Sequence, residues 1–291
     1  MTQTQWDVQL FNKLTQASVS NDYDPYTRFE WPDHLTDDQW WMSRELLSVY
    51  DTPLMDSLDE TTLKKLSKWE SINFYSLNIH GIRELLSEVS RRIYTPGFEI
   101  PSEFFHRFIA EENHHMWFFA QFCLRYGAKI YPDKSLKFHA VVTDPQVESF
   151  LVFARIVIFE EIVDYFNARM GNDADLHPLM RAINRVHHAD ESRHIAAGRQ
   201  IVKQLYADLT QHLELKQLRS LDDYLQRYIL TMLEALYNPA VYRDAGIPEP
   251  YKLRSALLQQ ASRKHRHRAF VHRTMHFLLH NHILSGQEFL S

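Results

Sequence analysis

The chain has 291 residues, a formal charge of −5, 7 glycines and one cysteine, Cys123. A lone thiol excludes an intramolecular disulfide framework and any cluster held by several thiolates, and without a broad basic stripe no nucleic-acid partner is expected. The opening MTQTQWDVQL lacks a secretory pattern and no apolar run reaches the roughly 18 residues of a membrane span, so a soluble cytoplasmic protein without membrane contact is the expectation.

Few glycines, with long stretches rich in good helix formers, predict an all-α chain. We expect a single domain over 1–291: an irregular arm over 1–37, a bundle core over 58–208, and additional helices over 212–291. Helical periodicity is read near 37–50 and over 58–94, where a TPG turn at 95–97 stops it. The next segment, 102–127, opens after Pro101 and closes at Gly127; others run over 144–170, 176–208, 212–237 and 248–284. At least four of these are long enough for a bundle.

The segment at 102–127 contains EENHH, which holds Glu-x-x-His in two registers, Glu111 with His114 and Glu112 with His115. Phe105, Phe108, Phe119, Phe122 and Tyr126 form one stripe, and Glu112 and His115 occupy the two steps missing from it, so these two should face the core. The strongly apolar segment 144–170 carries Glu160 and Glu161 at its middle, where one of the pair must sit in buried surroundings. The segment 58–94 carries Glu84 and Glu88 one turn apart; Glu84 lies about as far before the turn at 95–101 as Glu112 lies after it, which puts the two at one level between antiparallel neighbours. In HHADESRH, His187, Glu191 and His194 fall within roughly 60° on one helical face.

A glutamate on one helix, Glu-x-x-His on the next, a glutamate on a third and Glu-x-x-His on a fourth is the pattern by which ferritin-like bundles hold two metal ions. Burying several carboxylates is costly unless they are paired or bind metal, and four glutamates match two divalent cations in charge. Carboxylate and imidazole ligands without thiolate suit iron or manganese better than a structural zinc site. The expected metal ligands are therefore Glu84, Glu112, His115, one of Glu160 and Glu161, His187, Glu191 and His194, with Asp164, Asp190 and Arg193 placed to orient them from behind. Glu111, His114 and His188, in the neighbouring register, and whichever of Glu160 and Glu161 is not a ligand should lie behind the ligands or in solvent. The C-terminal His272, His276 and His280 repeat every four residues without a carboxylate before Glu288, which favours a basic surface or oligomer-contact helix over a second metal site.

The order and spacing resemble the ferritin-like diiron N-oxygenases typified by para-aminobenzoate N-oxygenase. The carrying residues are Glu84, then EENHH with Glu112 and His115, then Glu160, then His187-x₃-Glu191-x₂-His194; the extra histidine before the last Glu-x-x-His is the most specific feature. The resemblance covers about 65–205 and implies a ferritin-like four-helix bundle whose two iron ions use O₂ to oxidise the nitrogen of a small amine, free or carrier-tethered, to hydroxylamine, nitroso or nitro products in secondary metabolism. No G-x-G-x-x-G fingerprint is present, so electrons should come from an external reductase or ferredoxin-like donor; a homodimer is the expected assembly. A diiron desaturase or hydroxylase acting on C–H bonds and a ferritin-like iron-binding protein are the rival expectations.

Overall fold

The computed structural model describes residues 6–133 and 144–290, and no β-strand occurs among the described residues. Helix α1 spans Val8–Ser20, α2 Pro53–Asp56, α3 Glu60–Ser90, α4 Ser102–Gly127, α5 Pro145–Asn172 and α6 Pro178–Leu209. Beyond them lie α7 Leu215–Ala235, α8 Pro239–Asp244, α9 Pro250–Gln259, α10 Ala261–Phe270 and α11 His272–His280. Local chemistry sets several starts: the Asp59 carboxylate accepts from the Thr62 N–H to cap α3, Asp144 accepts from Gln146 to cap α5, and Pro145 and Pro178 take first-turn positions where the missing N–H costs nothing.

Helices α3 to α6 form the bundle. The Phe74 ring packs on Phe166 and Gly81 lies against Phe159, so α3 and α5 are antiparallel. Tyr75 packs on Phe122, Asn167 meets His187, and His115 meets Asp190 while Glu111 meets His194, so α3 and α4, α5 and α6, and α4 and α6 are antiparallel too. It follows that α4 and α5 point the same way, as in the ferritin-like class. Two glycines allow the close approaches: a Cβ on Gly81 would stand 2.4 Å from the Phe159 ring, and one on Gly198 would stand 2.6 Å from Val157 Cγ2. At these contacts backbone replaces side chain, which draws α3 onto α5 and α6 onto α5 on either side of the acidic interior.

Three expectations along the chain are corrected. The arm is not irregular throughout: Val8–Ser20 is a helix capped by Asp7, whose carboxylate accepts from the Leu10 N–H, and which buries Phe11, Leu14 and Ser18 at helical spacing against α4 and α6. Residues 1–5 of the arm lie outside the described residues. The segment 37–50 is not a helix apart from a short 3₁₀ turn, Arg44–Leu46. Its backbone is satisfied by side chains instead: the buried Arg266 donates to the carbonyls of Glu45, Leu47, Ser48 and Tyr50, and Glu70 accepts from the Ser48 N–H at 2.9 Å. The expected helix over 248–284 is three shorter ones, and no described helix is long and apolar enough to cross a membrane.

Candidate metal centre

Glu112 and His115 on α4 and Glu191 and His194 on α6 offer four ligand atoms that all lie within 4.8 Å of one another. The phenylalanine stripe of α4 turns the first two inward, and the i, i+3 spacing of each pair stacks its members on one helix face. Glu160 comes from α5, and His187 reaches the group one turn before Glu191, its Nε2 2.9 Å from Glu191 Oε1. All six residues are at most 1% exposed.

The orientation of each imidazole is set from behind. His194 Nε2 donates to Glu111 Oε2 at 2.7 Å, leaving Nδ1 to face Glu112 Oε1 at 2.8 Å. His115 Nε2 donates to Asp190 Oδ2 at 3.0 Å, leaving Nδ1 3.4 Å from Glu112 Oε1 and 3.7 Å from Glu191 Oε1. His187 turns the other way, with Nδ1 beside the Asn167 amide. The Asn167 Nδ2 amide donates to that nitrogen and holds the ring with Nε2 turned toward Glu191 and the interior. Arg193 joins the two supporting carboxylates, donating from Nη2 to Glu111 at 2.6 Å and to Asp190 at 2.5 Å, and Tyr23 from the arm donates to Asp190 at 3.1 Å.

The charge of the interior is unbalanced in a specific way. Glu111, Glu112, Glu160, Asp190 and Glu191 face one guanidinium, Arg193, and leave four negative charges, those of two divalent cations. Burial, then Glu191 and Glu112, drives Glu160 well above the usual carboxylate range. Although burial opposes it, Glu112 and Asp190 hold His115 up at about 9, and Glu111, Glu112 and Glu191 hold His194 well above its usual range. The inward atoms support the same fit: Glu112 Oε1, His115 Nδ1, both Glu160 oxygens, His187 Nε2, Glu191 Oε2 and His194 Nδ1 lack an aligned hydrogen-bond partner among the described residues. Phe108, Phe118 and Phe119 pack 4.5, 5.5 and 4.9 Å from the rings of His194, His115 and His187, leaving little room for water.

A model of the p-aminobenzoate N-oxygenase AurF family matches residues 5–281. The chain belongs to the AurF family. Membership makes it an oxidoreductase of the diiron N-oxygenase type with a ferritin-like helical fold, and extends the likeness well past the 65–205 stretch on which the sequence motifs rest. Set against curated proteins, the chain matches none.

One expected ligand is displaced from this AurF centre. Glu84 lies on the outside of α3, its side chain 66% exposed and 3.3 Å from Arg155 Nη1. Its level along the rod agrees with that of Glu112, but its face does not: the buried positions of α3 in this stretch are Asn78, Ile79, Ile82, Leu85 and Val89. Glu88 pairs with Arg91 and Arg92. The one buried acid of α3, Glu70, is bound to Ser48, so α3 brings no carboxylate to the centre, and Glu111 and Asp190 make up the charge from behind the imidazoles. Asp164 also stands apart from the ligand imidazoles, since it bonds His188 and Arg273 on the outer side of α5. Asn167 and Tyr23 carry no motif; the only trace of Asn167 is its place two turns after Glu160 on the same helix face.

Proposed function

We propose that this AurF family member uses two iron ions to oxidise the nitrogen of a small amine with O₂, in a secondary-metabolite pathway of the cytoplasm, and draws electrons from a separate reductase or ferredoxin-like protein. Glu112, His115, Glu160, His187, Glu191 and His194 would hold the ions. The observation that carries the assignment is the set of buried oxygen and nitrogen atoms from α4, α5 and α6 that converge without hydrogen-bond partners. When bound, the iron pair supplies O₂ activation and oxygen-atom transfer to the amine nitrogen.

The chain's own residues prepare for that chemistry. Asp190 and Glu111 hold the Nε2 protons of His115 and His194, fix each ring and make Nδ1 a better donor. Arg193 keeps both supporting carboxylates ionised and in place; it lies beside them rather than in the interior. The surrounding phenylalanines exclude water, so charge inside the site is felt strongly. With α3 supplying no carboxylate, the α3 side is less densely filled by protein ligands than the α6 side, which carries three.

The test is iron loading under reducing conditions, metal analysis, and O₂ consumption with a panel of amines beside a panel of acyl substrates. Two ions per chain and amine-dependent O₂ uptake with N-oxidised products are expected. Uptake driven by acyl chains would replace the reading with C–H oxidation, and a large shell-forming oligomer that takes up many ions per chain would replace it with storage.

A further inference from the structure

Asn78, near the middle of α3, is fully buried. Its Nδ2 donates to the Phe74 carbonyl at 2.8 Å, and because a carbonyl can only accept, the atom left over is the amide oxygen. That oxygen has no hydrogen-bond partner among the described residues, a costly state for a buried acceptor unless something binds it.

The neighbours of Asn78 on α3 fix where it points. At about 100° per residue, its side chain falls within roughly 60° of Phe74 and Gly81 on one side and of Tyr75 on the other. Phe74 and Gly81 lie against Phe166 and Phe159 of α5, whereas Tyr75 packs on Phe119 and Phe122 of α4 and accepts from Asn184 of α6 at 2.8 Å. Asn78 is therefore directed between α5 and the α4–α6 pair, into the middle of the bundle. The same contacts set its level. Tyr75 stands opposite Asn184 on the parallel helix α6, so three residues on, Asn78 stands opposite His187. One turn back from Phe119 on the antiparallel α4 is His115, and between the Phe74–Phe166 and Gly81–Phe159 contacts with α5 Asn78 lies within a turn of Glu160.

We propose that Asn78 Oδ1 is the ligand that α3 contributes to the metal centre, an uncharged one, a role that rests on the two-ion reading of the site. Charge accounts for an amide at this place. Glu111, Glu112, Glu160, Asp190 and Glu191 against Arg193 already match two divalent cations, so a carboxylate from α3 would overshoot, whereas a carboxamide oxygen adds a bond to a hard cation without adding charge. The hydrogen bond from Nδ2 to the Phe74 carbonyl anchors the amide on its outer atom and leaves the oxygen turned inward, as Glu111 and Asp190 do for the imidazoles.

Iron titration with metal analysis of wild type, Asn78→Leu and Asn78→Asp, joined to Mössbauer spectra of the reduced, iron-loaded chains, tests this role without reference to turnover. Wild type should hold two ions. Asn78→Leu, which nearly keeps the volume and removes the oxygen, should bind one ion about ten-fold more weakly or worse and shift the spectrum of that ion while the other stays as it is. Asn78→Asp, which keeps an oxygen in place, should bind both at least as tightly as wild type. A wild type without two ions would sink the two-ion reading and the ligand together. Two ions in wild type with unchanged affinity and spectra in Asn78→Leu, or equal weakening by leucine and aspartate, would overturn the α3 ligand alone. The iron-free Asn78→Leu chain should melt no lower than iron-free wild type; a much lower melting temperature would make Asn78 a structural group and overturn the role as well.

Discussion

Glu111 receives the Nε2 proton of His194 at 2.7 Å while Glu112, its neighbour in sequence, stands 2.8 Å from Nδ1 of the same ring. Consecutive glutamates on α4 thus grip one imidazole of α6 from opposite sides, one as support and one as a metal-facing group. Because the supporting partner of a ligand histidine tunes its basicity and orientation, Glu111→Gln should weaken iron binding about 10- to 100-fold without unfolding the chain. Iron titration followed by equilibrium dialysis measures this; wild-type affinity in the variant would show the contact to be idle.

Glu84 gives the converse expectation. It is exposed and, among the described residues, paired only with Arg155, and surface pairs contribute about 0–1 kcal/mol. Glu84→Ala should therefore keep two ions per chain and wild-type turnover. Loss of one ion would return this residue to the ligand set.

The contrast between Glu84 and Glu112 shows how much of the site was legible. On α4, five aromatic residues marked the buried stripe so sharply that the two gaps in it could only be inward positions, and the structure buries Glu112 and His115. On α3, counting from the turn found the level of Glu84 but not its rotation about the rod, which Ile82, Leu85 and Val89 decide by taking the buried face. The same stripe test applied there turns Glu84 outward. Helix α4 and the pair α5–α6 were readable from period and caps. The segment 37–50 was not, since its conformation depends on Arg266, more than two hundred residues away. Asn167 and Tyr23 were hidden for a like reason: a single amide and a phenol acquire meaning only when the fold sets them beside His187 and Asp190.

Tyr23 ties the arm to the centre by one hydrogen bond, to Asp190 at 3.1 Å. Burial, then Asp190, holds the phenol above its usual range, so it stays a proton donor. Tyr23→Phe should lose about 1 kcal/mol of stability, visible as a lowered melting temperature, with two ions still bound. Asp190 keeps Arg193 and His115 as partners in that variant, so a drop in metal content would mean that the phenol matters to the ions and not to the arm.

Glu70 offers a pH test away from the metal. Burial, offset by the Ser48 hydrogen bonds and Arg266, raises its carboxyl from 4.5 to about 7. The folded form therefore holds this proton more tightly than the unfolded one, and its contribution is fully present below pH 4.5 and lost as pH rises through about 7. The span amounts to something on the order of 3 kcal/mol. Denaturation of wild type and Glu70→Gln across pH 5 to 8 should give stability curves that diverge, the wild type falling relative to the variant as pH rises. Parallel curves would mean that Arg266 holds the group ionised throughout.

Glu160 carries the strongest conflict between folding and function. Both its oxygens are buried without partners among the described residues, and burial with Glu191 and Glu112 nearby makes its charge hard to bear in the absence of cations. Leucine at this position would add apolar volume between α5 and α6 and remove a buried unpaired polar group whose cost is about 1–3 kcal/mol. The iron-free Glu160→Leu chain should therefore melt at a higher temperature than the iron-free wild type, whereas after iron loading the order reverses, because only the wild type gains the full binding free energy of two ions. His276→Ala, altering a histidine outside the centre, should leave the gain on iron loading intact, and His194→Ala should abolish most of it. The ordering of four melting temperatures, wild type and Glu160→Leu with and without iron, separates a residue kept for the metal from one kept for the fold: an iron-free variant less stable than the iron-free wild type would mean that Glu160 is a structural group of the bundle.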